Sequence, residues 1–477
     1  MTKIDRLRRW WRNLTSASLW QGERLFGVAL VALASLSLQA ALYLPGWLAG
    51  LHPDAGWVAA GVLALLALAF IFAIAALFPS PLRRGAWSAV SHWLALALLV
   101  WALFSSAQTL LAAQADFRAN LSQWPPQYRS DEMYYNQYDA LQTLRGQNAY
   151  TDADIQLAQA MAYFHIQGFT PIARGRFTEL RQEPTATPMR TPLARYLAHP
   201  WAPPPEIAPD TLHSYPAGAF LVDLPFIWAG LSGMGAAQLA LYLVLVVAIV
   251  VIAPTNVRLP VLLLALCNPG LVGSVAWSDF DIWWVAALVG AWALGSRRWP
   301  SALLLGVACA IKQTAWFCAP FYFLWVWRER GPKEAMSHAG IALAAFALIN
   351  LPWIITSPGA WARSLFLPLA LPLFPEGSGL IGLMLAGALP WLPSLLFGIL
   401  ELAAWLGALV WFWRILPRLP YAGLILGLLP LLFAWRSPIR YFALLTLFAV
   451  AALALTLRRA AREAPHIEAI PATTGAA

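Results

Sequence analysis

Charge is the scarcest thing in this sequence. Only 11% of its 477 residues are Asp, Glu, Lys or Arg, against about 25% in an ordinary soluble domain. That scarcity excludes a cytosolic globular enzyme, a nucleic-acid-binding module and a disordered chain. Cysteine is scarce too. Cys267, Cys309 and Cys318 fall inside apolar segments with no metal-ligand spacing, so they read as small buried side chains. A cleavable leader pattern is also missing. The basic start from Lys3 to Arg12, with Arg24, runs into a full-length apolar segment from Phe26, which reads as an uncleaved anchor.

Hydrophobicity is what the chain has in abundance: 60% of residues are hydrophobic and the mean hydropathy is +0.63. Apolar runs recur along it at the length a spanning helix needs, roughly 17–25 residues. The expected fold is therefore an all-α polytopic membrane protein. The net charge of 31 − 22 = +9 is gathered in short Lys/Arg clusters between apolar runs. Such clusters act as orientation signals, not as a nucleic-acid stripe.

Three spans are expected near 26–48, 57–78 and 89–112, with the basic N-terminus and Arg83–Arg84 on the cytoplasmic side. Residues 113–213 then form the one long polar segment, with ten of the 22 acidic residues against eight arginines. A connection of that length reads as an extracytoplasmic element with a function. Within it, 131–145 and 152–167 read as short helices, the second opened by the capping pattern Thr151-x-x-Asp154. Nine prolines make 184–216 extended and irregular.

Further apolar segments lie near 216–231, 236–253, 258–277, 280–296, 300–312, 313–327, 336–355, 378–392, 394–413, 419–434 and 439–457. Counting every one as a crossing places Arg297–Arg298 outside, against the charge rule. Reading 216–231 and 378–392 as re-entrant removes the conflict and leaves about 12 transmembrane helices. Arg297–Arg298, Arg328–Lys333, Arg414–Arg418 and Arg458–Arg462 then all become cytoplasmic. The organisation expected is 1–112 for the N-terminus and three spans, 113–213 for the large loop, 214–461 for the membrane core and 462–477 for a disordered cytoplasmic tail. The location expected is a bacterial inner (plasma) membrane with both termini cytoplasmic.

The same layout gathers Asp279, Asp281, Lys312, Arg436 and Arg440 at the outer face, where the loop also lies. Ionisable groups at membrane depth are costly and mark functional sites by default. Lys312, in Ala-Ile-Lys-Gln-Thr between two runs too short to span comfortably, should occupy a helix break. It could hold a phosphate there or simply snorkel. Asp279 and Asp281, in Trp-Ser-Asp-Phe-Asp-Ile-Trp-Trp, stand two apart and so differ in role: at least one could be functional, or Asp279 could simply cap a helix. Arg436 and Arg440 share one face if their turn is helical and could clamp a phosphate, or contact lipid headgroups. Asp131 and Glu132 stand beside Tyr134 and Tyr135 at the start of a loop helix. Such an acid pair could supply a general base, a metal ligand or a hydroxyl acceptor, or could be a solvated first turn. Tyr134, Tyr135, Tyr215, His213 and Gln313 are expected to face substrate, with a structural role also open for His213. Asp223 and Glu401 are intramembrane acids for which structural bonding and function are both open.

The order of these elements resembles the GT-C superfamily of integral-membrane glycosyltransferases, especially its bacterial mannosyltransferase-like branch. The stretch from Asp131 through Tyr134, Tyr135, Ala140, Leu141, Gly146, Asn148 and Tyr150 is similar to that family's first-loop pattern. Tyr215-Pro216-Ala217 resembles its Tyr-Pro-Pro segment, with Ala217 in place of the second proline. Ser278-Asp279-Phe280-Asp281 fits only the last position of its small-Gln-x-Asp motif, whereas Gly306 to Lys312 matches its Gly-Leu-Ala-x-x-x-Lys motif closely. The resemblance covers roughly 125–330, and two extra spans precede the loop here.

The resemblance implies an inverting transfer of a hexose or pentose from a polyprenyl-phosphate donor to an acceptor hydroxyl at the extracytoplasmic face. Asp131 would be the base. Lys312 and Arg440 would hold the departing lipid phosphate. Asp279 or Asp281 would orient the acceptor or bind a divalent cation, Mg or Mn, whose requirement the family leaves open. The implied partners are the lipid-linked donor, a lipid, glycan or protein acceptor, and membrane lipids. The competing classes are a lipid or small-solute transporter or flippase, which places charges at similar depth, and a scaffolding protein that uses the loop for contacts.

Overall fold

Apolar periodicity becomes helix almost everywhere in the computed structural model, which describes residues 22–49, 54–78, 87–122, 131–151, 173, 178–182, 213–230, 234–277 and 280–463. The expected helix 152–167 and nearly all of the proline-rich stretch lie outside the described residues. So do the tail from 464 and Asp279.

The N-terminal helices are α1 (Gly22–Leu48), α2 (Ala55–Ala75) and α3 (Trp87–Ser122). Asp54 starts α2 by accepting the backbone N–H groups of Gly56 at 2.8 Å and Trp57 at 3.2 Å, which satisfies two of the orphan donors of the first turn. Helix α3 does not stop at 112, where its apolarity ends. It runs for 36 residues because its polar final turns find partners on a neighbour. The Trp277 indole donates to Asp116 Oδ1 at 2.8 Å, and Asn120 Nδ2 donates to Ala276 O at 3.4 Å.

The loop contributes α4 (Asp131–Leu144), and the chain re-enters through two short helices, α5 (Gly218–Leu221) and α6 (Leu224–Trp228). The bundle continues with α7 (Met234–Ile252), α8 (Arg258–Leu266), α9 (Pro269–Trp277), α10 (Asp281–Ala293), α11 (Arg298–Ile311), α12 (Thr314–Arg330) and α13 (Pro332–Thr356). After the short helices α14 (Pro358–Leu365), α15 (Leu367–Ala370) and α16 (Leu380–Leu385) come α17 (Ser394–Ile415), α18 (Gly423–Leu426) and α19 (Ile439–Glu463). Two-residue strands β1 (Glu376–Gly377) and β2 (Arg436–Ser437) pair in parallel.

Among the described residues, seven helices are long and apolar enough to cross a membrane: α1, α2, α3, α7, α13, α17 and α19. Large apolar side chains point outward from several of them. Leu395, Ile399, Leu402, Leu406 and Val410 are each about half exposed or more along α17, at the three- and four-residue spacing of one helix face. A soluble protein would turn such a stripe inward; here it suits lipid, and the chain is a helical membrane protein.

Two expected spans form differently. The run 258–277 is broken between α8 and α9 by a 59° bend, at a point where side chains from other helices replace the lost backbone bonds. Ser35 Oγ and Gln39 Nε2 donate to Cys267 O at 2.6 and 2.7 Å, and Asn268 Nδ2 donates to Ala443 O at 3.1 Å. The run 419–434 is α18 followed by a 3-10 turn, Leu429–Phe433, because Pro420, Gly423, Gly427 and Pro430 interrupt it. The segments 216–231 and 378–392 form only short helices.

Helix direction gives the bundle two distinct ends. Helix α10 leads from Asp281 towards the turn at Arg297, α11 returns from Arg298 to Ile311, just before Lys312, and α12 leads back to Arg328 and Arg330. Around that second turn Arg298 pairs with Glu334, Arg459 donates to Glu329 at 2.6 Å, and Arg328 lies 5.6 Å over the Trp413 ring. The basic clusters therefore meet at one end, and Lys312 stands at the other.

Close backbone approach fixes the path of α11. A Cβ on Gly306 would collide with Ala342 O and the Ala345 side chain of α13. Gly306→Leu should cost on the order of 1–3 kcal/mol, as overpacking does, read as a lower Tm in detergent. A Tm equal to that of the wild type would contradict this packing.

Candidate active site at the end of the bundle

Helix α11 ends at Ile311, and Lys312 takes an extended backbone (φ −148°, ψ 141°) before α12 begins. Its ammonium is thereby delivered into the protein, and Lys312 is only 3% exposed. Two carboxylates meet it. Glu132 Oε1 from α4 and Asp281 Oδ1 from the first turn of α10 each lie 2.7 Å from Lys312 Nζ. Both acids are themselves buried. Asp281 also accepts the Trp284 indole N–H at 2.6 Å. The Tyr215 and Tyr441 rings stand 5.6 and 5.5 Å from the ammonium, within cation–π range.

This triad unites the loop with two membrane helices and carries one net negative charge. Two buried carboxylates side by side repel, and only a cation between them makes the arrangement tolerable. An ammonium has three donors. Among the described residues it donates to Glu132 and forms an ion pair with Asp281.

The return segment is anchored beside the triad. Gly218 seats α5 against the end of α11, since a Cβ there would run into Ala310 O. Asn350 Oδ1 accepts the Ala217 N–H at 2.9 Å and the Trp361 indole at 3.1 Å. Gln313 Nε2 donates to Ser214 O and, at 3.3 Å, to Leu365 O. His213 Nδ1 lies 2.6 Å from Asp139 Oδ2, and both groups are buried. The Tyr150 hydroxyl donates to Tyr215 O at 2.9 Å. Burial, with the Asp139 charge nearby, pushes that phenol well above the usual tyrosine range, so it stays a neutral donor.

Glu132, Asp281 and Tyr215 thus gather around Lys312, with His213 and Gln313 holding the adjoining segment and Tyr135 buried on α4. The side chains of Asp131 and Tyr134 lie outside the described residues. Arg436 and Arg440 do not share a helix face. Arg436 belongs to β2 and Pro438 separates it from α19. Its guanidinium pairs with Glu376 and donates to Phe374 O at 2.9 Å. Arg440, half-buried in the first turn of α19, is next to Tyr441.

Sequence reading alone does not single out Asp139, Trp284, Asn350 or Tyr441. The visible signals are spacing: Asp281 and Trp284 are three apart, and Glu132 and Asp139 are seven apart on one face. Among the described residues, no group of three or more His, Cys, Asp or Glu side chains could hold a metal ion. Comparison of the chain with protein-family models, with curated proteins and with solved structures gives no match, so the meaning of the site rests on its own geometry.

Proposed function

We propose that this protein is an inverting membrane glycosyltransferase that moves a sugar from a polyprenyl-phosphate donor to an acceptor hydroxyl at the extracytoplasmic face. The observation that carries the reading is the buried Glu132–Lys312–Asp281 triad, built from a loop acid and two span ends. The bent pair α8–α9 counted as one crossing, the short helices α10, α11 and α12, and the 423–433 segment bring the seven long helices to twelve crossings in this reading. The basic clusters at the far end then face the cytoplasm.

Glu132 is engaged by Lys312, and the resemblance to the GT-C superfamily makes Asp131, one residue earlier on α4, the proton acceptor. In the step proposed, the acceptor hydroxyl gives its proton to Asp131 and its oxygen attacks the anomeric carbon opposite the phosphate. The bond from that carbon to the phosphate oxygen breaks, and the lipid phosphate leaves with the electron pair. Lys312 and Arg440 stabilise the charge that develops there. A donor linked to a lipid suits a site at the membrane surface, and Tyr215 and Tyr441 give it an aromatic wall.

The test is transfer by purified protein in liposomes, supplied with radiolabelled polyprenyl-phosphate hexoses or pentoses and a membrane extract as acceptor. Label should pass from the lipid-linked donors and not from nucleotide sugars. Movement of the donor across the bilayer with no label transferred would overturn the reading in favour of a flippase.

A further inference from the structure

The buried polar residues Glu132, Asn136 and Asp139 follow one another along a face of α4, spaced by four and three residues. The outer two are paired, Glu132 with Lys312 and Asp139 with His213. The middle one is not. Asn136 is 0% exposed, and neither its amide nitrogen nor its amide oxygen has a hydrogen-bond partner among the described residues. Leaving both ends of a buried amide unsatisfied is costly, and native folds rarely do so without a reason.

The elements against which α4 packs, and the chemistry of an amide, say what could complete it. His213, the partner of Asp139 one turn further along α4, packs in an aromatic cluster, its ring 5.2 Å from that of Tyr150 and 5.0 Å from that of Phe220, which lies 5.0 Å from the Trp353 ring. Asp223, at the junction of the two short helices on which α4 packs, has a second buried oxygen with no hydrogen-bond partner among the described residues. A phosphate only accepts hydrogen bonds, so it would leave the amide oxygen empty, and carboxylates flank it on both sides. A metal cation would leave the amide nitrogen empty. A hydroxyl both donates and accepts, and two neighbouring hydroxyls match an amide at both ends. Asn136 stands one helical turn, about 6 Å, from the residue that touches Lys312, which is the span of a sugar ring.

We propose that Asn136 is a specificity-determining residue that reads neighbouring hydroxyls of the donor sugar, on the side of the ring away from the lipid phosphate. The inference rests on the glycosyltransferase reading. The test replaces Asn136 with Leu and follows two quantities, thermal stability without ligand and the KM for each polyprenyl-phosphate hexose. Because an unsatisfied amide is removed, Asn136→Leu should melt at or above the wild-type temperature. Its KM should rise about 10- to 100-fold, a factor of ten per lost hydrogen bond. Donors lacking the hydroxyl that Asn136 reads should be bound equally by wild type and variant.

A wild-type KM for every donor would overturn the role of Asn136 and leave the transferase reading standing. A lowered Tm with an unchanged pattern of donor preference would overturn it as well, by making Asn136 structural. If the wild type transfers nothing, donor-induced thermal protection decides. Protection lost in Asn136→Leu keeps the sugar site and removes the transferase reading; protection equal in both proteins, or absent from both, removes the site.

Discussion

Lys312→Met should be among the most destabilising single substitutions in this protein. It leaves Glu132 and Asp281 buried and facing one another with no cation between them. Breaking a buried ion pair by removing one partner costs about 3–5 kcal/mol, and here two partners are stranded at once. The expected readout is a large fall in Tm in detergent and a poor yield of folded protein. Contrast comes from the opposite end of the bundle. Arg298 pairs with Glu334, but its side chain is 49% exposed, so Arg298→Ala should cost about 1 kcal/mol or less. If Lys312→Met melts no lower than Arg298→Ala, the triad is not the structural centre described above.

Asp131→Asn should do the reverse, sparing the fold and removing the reaction. Asn keeps the size and polarity of the side chain at the start of α4 but cannot accept the acceptor's proton. General-base catalysis contributes about 10²- to 10⁴-fold, and the transfer rate should fall by that factor at an unchanged Tm. Transfer at the wild-type rate would show that the proton goes elsewhere, with Glu132 next in line. The two substitutions separate a charge that holds the site together from one that acts on the substrate.

The sequence and the structure meet most closely where a single physical constraint acts alone. Hydropathy marks the long helices because a lipid-facing helix has no alternative to being apolar along its length. The break at Lys312 is legible for a related reason: a lysine flanked by two short apolar runs cannot be carried through the middle of a straight span. Contacts that depend on three dimensions are not legible in this way. Nothing in the order Arg436-Ser-Pro-Ile-Arg440 says that Arg436 enters a two-residue strand against Glu376, because its partner lies 60 positions earlier. Arginines four apart suggest a helix face, and Pro438 is the residue that defeats that reading.

The bend between α8 and α9 was hidden for the same reason. The donors that satisfy Cys267 O, Ser35 and Gln39, come from α1, more than 220 residues away. The polar end of α3 holds its helix because Trp277 and Ala276 meet it, which composition cannot announce. At the site, sequence reading brings Lys312, Asp281, Glu132 and Tyr215 to one end of the molecule. The structure adds that Lys312 is already shared by two carboxylates, which turns an isolated positive charge into a buried triad.

That triad could be an internal staple or the seat of a reaction, and neutralising it as a unit distinguishes the two. Glu132→Gln, Lys312→Met and Asp281→Asn combined remove all three charges together, and replacing a whole buried ionic cluster is often neutral for stability. The decisive measurement is the initial rate of label transfer from a polyprenyl-phosphate sugar by this triple variant beside the wild type, with Tm recorded for both. The account predicts a folded protein with a wild-type Tm and a transfer rate lower by on the order of 10³-fold, the scale of losing charge stabilisation in a water-poor site. A folded triple variant that transfers sugar at the wild-type rate would contradict it.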